Sequence, residues 1–263
     1  MTYIRCYLSV IFKNRLREER GQITRNDMKY MGSKNRFAKY LLPIILKDRK
    51  PNQWYVEPFV GGCNMIDKVQ GHRIGADANK YLIAMWKGLQ EDLDRPLEIP
   101  RELHAKARTE YNNRQSEEFT DFEIGWIGFM ASFNGRFFGG GYSGKHKNRD
   151  YVNEQIRNTT KQIPLIKTID FYHCEYQDLE IPSESIIYCD IPYQGTKVYD
   201  SKLVFDYPKF WQWCRDMTKQ GHKVFVSEYN APEDFKCLWE METKVSIRPT
   251  KTLIQTEKLF TYE

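Results

Sequence analysis

This sequence is short of the patterns that mark metal, redox and nucleotide-triphosphate chemistry. Its six cysteines (Cys6, Cys63, Cys174, Cys189, Cys214 and Cys237) form no C-x-x-C pair, and its five histidines complete no zinc spacing. Adjacent His173 and Cys174 are the one candidate for metal or nucleophile chemistry. Neighbours on a strand point to opposite faces, so no shared metal site is expected. The cysteines read as reduced, mostly buried thiols of a cytoplasmic protein. No apolar run approaches the ~20 residues of a membrane span. The apolar stretch 6–12 is short, leads into Lys13-Asn14-Arg15 and lacks a small-residue cleavage site, so it is not read as a signal peptide. Gly32-Ser33-Lys34 lacks the spaced first glycine of a phosphate loop and follows no strand, which excludes a nucleotide triphosphatase. A G-x-G-x-x-G turn is also missing, which weighs against NAD.

Nor is there a large excess of either charge. The formal net charge of +5 permits a polyanionic partner without demanding one, so the local distribution decides. Charged residues at 29% and aromatics at 14% describe a globular chain, and 263 residues bury one large core or two moderate ones. Residues 1–27 differ in texture, with six basic residues (Arg5, Lys13, Arg15, Arg17, Arg20, Arg25) against three acidic ones and a short surface helix expected at 13–19. They read as a basic arm touching nucleic acid or as an appendage of little function ahead of Met28, the natural start, and the second reading is preferred.

From Met28 onward the pattern alternates strands and helices, which indicates an α/β fold. Strands are expected at 54–57, 73–77, 169–174, 185–189 and 223–228, and a hairpin at a sheet edge over 239–262. Helices are expected at 37–46, 64–69, 79–89, 101–113, 121–131, 151–166 and 207–219, with a short one starting at 231–234. Asn79 or Asp77 is expected near the cap of the third.

Two places carry chemistry. The buried strand Ser185-Ile186-Ile187-Tyr188-Cys189 runs into Asp190-Ile191-Pro192-Tyr193. An acid, a rigid turn and an aromatic ring then stand together at the carboxyl end of a strand, the edge where open α/β sheets bind ligands; alone, this is equally an ordinary strand end. Upstream, Glu57-Pro58-Phe59-Val60-Gly61-Gly62 follows a strand, and the next strand ends in Asp77. Glycines let the backbone approach a ligand, and an acid one βα unit later can bind ribose hydroxyls. The pair points to an adenosine-containing ligand.

The stretch 133–142 reads as a mobile surface loop, and the basic residues run on from it to 149. Residues 133–149 mix glycines and aromatics with Arg136, Lys145, Lys147 and Arg149 and contain no acid. Basic residues interleaved with aromatics suit phosphate contact and base stacking. Arg136, Lys145, Lys147 and Arg149 are the DNA-binding candidates on that ground, and Asn134 beside them is counted with them.

Over residues 28–263 the chain resembles the Dam-type N6-adenine DNA methyltransferases. The resemblance rests on Lys29-Tyr30-Met31-Gly32-Ser33-Lys34, Glu57 to Gly62, Ala76-Asp77-Ala78-Asn79, Phe133-Asn134-Gly135, Asp190 to Tyr193 and the closing Glu257-Lys258-Leu259-Phe260, in that order. It implies a Rossmann-like sheet with an inserted, mainly helical target-recognition region, divided as an extension (1–27), a cofactor half (28–94), the insert (95–168) and a catalytic half (169–263). It also implies S-adenosylmethionine as cofactor and no metal. Tyr30, Gly32, Lys34, Glu57, Phe59, Gly61, Gly62, Asp77 and Asp190 would hold the cofactor, and Asp190, Ile191, Pro192 and Tyr193 would be catalytic. Double-stranded DNA is the implied partner, with no membrane and with a restriction enzyme as an optional partner. The expected setting is the cytoplasm of a bacterial or phage-infected cell, as a monomer or weak dimer.

The family usually carries Asp-Pro-Pro-Tyr, and here Ile191 replaces the first proline. The adenine amine has its lone pair spread into the ring, and two hydrogen-bond acceptors would localise it. Asp190 supplies one and the carbonyl of residue 191 the other, which any residue possesses. The chemistry alone leaves three readings open: adenine methylation, cytosine-N4 or RNA methylation, and a DNA-binding protein weakened in catalysis.

Overall fold

The structure is a computed structural model describing residues 27–114, 117–194, 205–248 and 251–263, with 244–248 and 251–253 as backbone. The N-terminal extension, with its expected helix at 13–19, lies outside the described residues except for Asp27. In chain order the strands are β1 (Tyr55–Glu57), β2 (Arg73–Asp77), β3 (Lys145–His146), β4 (Arg149–Asp150), β5 (Ile169–His173), β6 (Ile186–Asp190), β7 (Lys223–Glu228), β8 (Lys236–Arg248) and β9 (Lys251–Thr261). The helices are α1 (Asn35–Ile45), α2 (Lys80–Gln90), α3 (Arg101–Asn113), α4 (Asp121–Ala131), α5 (Tyr151–Ile166) and α6 (Tyr207–Lys219).

The main sheet has the order β5-β2-β1-β6-β7-β9-β8. Strands β5, β2, β1, β6 and β7 are parallel, and β9 and β8 close the edge as an antiparallel hairpin. The central strands Tyr-Val-Glu and Ile-Ile-Tyr-Cys are buried, as their apolar runs require. The chain steps outward from β1 to β2 and β5, then returns to lay β6 beside β1. That reversal is the topological switch point of an open α/β sheet. Glu57 and Asp190 end the two strands that flank it.

Helices cover both faces. One core joins α1, α2, α4 and α5 to the sheet through residues such as Leu41, Trp86, Trp126 and Ile156. The other lies under α6 and includes Phe210, Cys214, Val226 and Ile191. Helix α4 is buried nearly all round and starts with a capping box between Thr120 and Glu123. Asn79 caps α2, accepting from the Tyr81 and Leu82 amides.

Three expectations are corrected. At 64–69 only a 3-10 turn forms, Ile66–Lys68. Asp67 turns inward to Lys68 and Gln162, and the Arg73 guanidinium takes the Ile66 carbonyl, so the segment is spent on side-chain bonds. No helix starts at 231–234; a turn closed by the Phe235 amide on the Pro232 carbonyl leads directly into β8. The stretch 133–142 is not a free surface loop. Phe138 is buried and Phe137 stacks 4.7 Å from Phe129, both drawn in by apolar burial. Of its three phenylalanines only Phe133 stays half exposed.

Candidate functional site

At the switch point, β6 delivers Asp190 and the turn after it. Lys34, which precedes α1, is almost fully buried, and its Nζ lies 3.0 Å from Asp190 Oδ1. The same ammonium donates to the Gly32 carbonyl at 3.0 Å and stands 4.4 Å from the Tyr193 ring centroid. Burial pushes the Asp190 carboxyl up to about 6, while Lys34 holds it down. The Tyr193 hydroxyl donates to Glu257 Oε2 at 2.7 Å, and Tyr229 packs edge-on against its ring at 4.5 Å. Pro192 offers its carbonyl to the Tyr207 hydroxyl at 2.8 Å. Ile191 points the other way, into the core under α6. An acid, a cation and a flat ring thus meet at one strand edge.

The glycine turn after β1 forms the neighbouring wall. Gly61 has φ +47, and a Cβ there would meet the Tyr30 ring at 2.8 Å; at Gly62 it would meet Tyr30 Cβ at 2.7 Å. Tyr30 therefore lies on the bare backbone of the turn, a close approach that only glycine allows. Trp86 Nε1 pins the Gly61 carbonyl at 2.9 Å. Asp77 ends β2 and accepts the Gly61 and Asn79 amides on separate oxygens, at 3.2 and 2.9 Å. Burial lifts its carboxyl to about 6. Phe59 leaves this wall for an aromatic cluster with Tyr176 and Phe210. Glu57 faces inward and accepts the Tyr55 hydroxyl at 2.8 Å; desolvation raises its carboxyl strongly.

The segment carrying Tyr30, Gly32 and Lys34 is braced by α5, more than a hundred residues away. Gln155 exchanges two 2.9 Å hydrogen bonds with the Lys29 backbone, and Gln162 accepts the Met28 amide at 3.2 Å. Gln162 also donates to the Gly62 and Cys63 carbonyls. Asn64 ties the Met28 carbonyl to the Ser33 hydroxyl. On the other side Gly135 sits under Lys29, where a Cβ would lie 2.1 Å from the Lys29 carbonyl oxygen. Arg136 reaches Met31 Sδ at 3.2 Å. The 133–136 turn and the 28–34 segment are thus in contact. Beside them is a water-sized cavity of about 30 Å³, lined by Lys29, Ser132, Asn134, Ser143, Tyr151 and Gln155 among others.

Strands β3 and β4 pair as a small hairpin that carries Lys145, Lys147 and Arg149 outward. Arg149 grips Glu154 with two bonds of 2.5 and 2.6 Å, and Lys29 meets the same carboxylate at 2.8 Å. These cations hold Glu154 down to about 2. Lys145 is 3.5 Å from Asp150. Among the described residues no ion pair involves Arg136 or Lys147. No group of three or more metal-ligating side chains is present among the described residues, and no helix there is long and apolar enough to cross a membrane.

Sequence reasoning missed Glu228, Gln155 and Gln162, and gave Glu257 no role although it stands in the closing motif. Periodicity places the two acids on strands and the two glutamines on a helix, but their partners are set by the tertiary fold. A polar residue on the inward face of an apolar strand or helix was the available signal.

A search of the curated proteins finds no match. A family model described as D12 class N6 adenine-specific DNA methyltransferase matches residues 30–260. The chain belongs to that family and is an enzyme of DNA adenine methylation, whose members generally use S-adenosylmethionine.

Proposed function

We propose that this DNA adenine methyltransferase holds its target amine on Asp190 and the Ile191 carbonyl, with Tyr193 as the stacking surface and Pro192 shaping the turn. The observation that carries the reading is the meeting of Lys34, Asp190 and Tyr193 at the switch point. Adenine must leave the duplex to reach such a recess. The Asp190 carboxylate then accepts one N6 hydrogen and the Ile191 carbonyl the other. That draws the lone pair out of the ring and aims it along one line. Asp190 must be ionised to accept, and the Lys34 ammonium favours that form. The Tyr193 ring fixes the plane of the base.

The wall beside this turn fits S-adenosylmethionine. Asp77 is partly exposed at a strand end, and each of its oxygens keeps a lone pair after accepting one amide, which suits a ribose diol. Gly32 leaves room for close approach, Gly61 and Gly62 seat the Tyr30 ring, and Tyr30, Lys34 and the Phe59 backbone, whose ring is turned into the cluster with Tyr176 and Phe210, complete the cofactor set. Glu57 would act from behind it as a buried group. When bound, the cofactor supplies a methyl group on a positively charged sulfur, which leaves as a neutral thioether. Asp190 and the aromatic rings favour positive charge there. As the N6–carbon bond forms the amine sheds a proton, and Asp190 is the nearest base.

Asn134, Arg136, Lys145, Lys147 and Arg149 would position the duplex through its phosphates, and Phe133 is the exposed aromatic of that surface. In this reading the enzyme works on double-stranded DNA in the cytoplasm, with the 95–168 insert carrying target recognition. Transfer of labelled methyl from S-adenosylmethionine to DNA tests the proposal, with Asp190→Ala as the control. Label in N6-methyladenine for the wild type and none for the variant is expected. Equal transfer by Asp190→Ala would overturn the assignment.

A further inference from the structure

Two buried carboxylates outside the motif hold the catalytic turn from neighbouring strands. Glu257 on β9 is 7% exposed and takes the Tyr193 hydroxyl at 2.7 Å. Glu228, the last residue of β7, is 2% exposed. Its Oε2 accepts the Gln194 amide at 3.2 Å, and its Oε1 accepts the Tyr229 amide at 2.7 Å. Tyr229 in turn packs its ring against Tyr193. Glu228 lies opposite Lys258 in the β7–β9 pairing, so the two acids are adjacent in the sheet.

We propose that Glu257 and Glu228 are positioning residues that clamp Tyr193 at both ends, Glu257 through its ring hydroxyl and Glu228 through the chain that follows it. The inference rests on Tyr193 being the surface that receives the base. A ring joined to the chain by two rotatable bonds must otherwise be ordered when DNA arrives, which costs binding energy at that moment. Anchoring the hydroxyl fixes the ring plane in advance. Anchoring the next amide fixes the backbone that carries Asp190 and the Ile191 carbonyl. Burying a carboxylate is costly unless its oxygens are hydrogen-bonded, and here the two acids accept from Tyr193, Gln194 and Tyr229. Both oxygens of Glu228 are used, which a single amide oxygen cannot match, whereas Glu257 serves Tyr193 with one.

The test is single-turnover methylation of a target duplex, with the thermal midpoint recorded for each variant. Glu257→Ala is expected to lower the rate roughly 10- to 100-fold, the range for losing a hydrogen bond to a charged group. Glu257→Gln keeps an acceptor and is expected within about threefold of wild type. Tyr193→Phe removes the same bond from the other side, and with Glu257→Ala it is expected to be no worse than either alone. Glu228→Gln is expected to fall roughly tenfold, because one of two amides loses its acceptor. Should Glu257→Ala fail to fold, Tyr193→Phe still decides: a wild-type rate overturns the Glu257 half. If Tyr193→Ala is slow while Glu257→Ala and Glu228→Ala match wild type, the clamp is wrong and the stacking role stands. If Tyr193→Ala matches wild type, the stacking role itself is wrong.

Discussion

Lys34 Nζ and Asp190 Oδ1 are 3.0 Å apart, one from the segment ahead of α1 and the other from the end of β6. The pair joins residues 156 positions apart in a recess where burial lifts the Asp190 carboxyl to about 6. The lysine favours the ionised acid and stands 4.4 Å from the Tyr193 ring centroid. Removing its charge leaves desolvation unopposed.

The rate of methylation is therefore expected to rise with pH as Asp190 ionises, with its acid limb near 6. In Lys34→Met that limb is expected to move up by roughly 1–3 pH units, the usual effect of one nearby opposite charge. Single-turnover rates from pH 5 to 9 on both proteins check this. An unchanged limb in the variant would separate the pair from the chemistry.

Stability is expected to run against activity. Asp67, Asp77 and Asp190 are lifted to about 6 and Glu228 to about 7, from ordinary values of 3.8 and 4.5. Burial is the largest cause in each. A raised carboxyl binds its proton more tightly in the folded state, so the stabilisation is complete below the ordinary value and is lost as pH rises through 6–7. The ligand-free protein should melt at a higher temperature at pH 5 than at pH 8, with each group worth on the order of 2 kcal/mol. A midpoint that rises from pH 5 to 8 would contradict this.

Much of the frame was legible in the sequence, and the reasons are local. The strand at 73–77, the helices at 101–113, 121–131, 151–166 and 207–219, and the strand at 223–228 lie at the residues their periodicity gave. Apolar spacing and caps act over a few residues and survive any topology. The failures lie where tertiary contacts override local pattern. The amphipathic look of 64–69 comes from Asp67 and Lys68, which are used on Gln162 and Asp27. The aromatics of 133–142 pack inward because α4 and Tyr111 offer them a hydrophobic seat. Motif order named Lys34, Asp77 and Asp190 as candidates without disclosing that Gln155 and Gln162 hold the segment carrying Lys34.

The basic hairpin offers a graded test of phosphate contact. Lys147 has no ion pair among the described residues, whereas Arg149 is held by Glu154. Lys147→Ala should reduce the slope of log affinity against log salt by about 1, as expected for one lost phosphate contact. Arg149→Ala should change it less, because that guanidinium already has a carboxylate partner. Fluorescence anisotropy across salt concentrations reads both slopes. The reverse order would mean that Arg149 leaves Glu154 for DNA.

Gly135→Ala should damage the proposed cofactor wall from a distance. The glycine has φ +65, and a Cβ would stand 2.1 Å from the Lys29 carbonyl oxygen. Backbone cannot yield as a side-chain tip can, so Met28 to Tyr30 must shift. The cost is expected to be roughly 1–3 kcal/mol. Both the thermal midpoint and S-adenosylmethionine affinity by calorimetry should fall, because Tyr30 rests on Gly61 and Gly62. A lower midpoint with unchanged cofactor affinity would show that the segment does not reach the cofactor.

Ile191 separates what a side chain does from what its carbonyl does. The side chain is 2% exposed in the core under α6, so it is a packing group set within the proposed catalytic turn. Truncation to alanine leaves a cavity and should cost roughly 2–5 kcal/mol, while Ile191→Val should cost about 1 kcal/mol. The carbonyl persists in both. At a temperature where each variant is folded, the methylation rate should stay within about threefold of wild type, an effect under roughly 1 kcal/mol. Asp190→Asn should behave in the opposite way: the neutral amide removes a buried charge, so stability is retained, but one side of the amine loses its anionic acceptor and the rate falls steeply. Thermal midpoints and single-turnover rates on the three variants separate the two roles. Ile191→Ala with a wild-type midpoint and no turnover would show that the side chain, and not the carbonyl, is what the reaction needs.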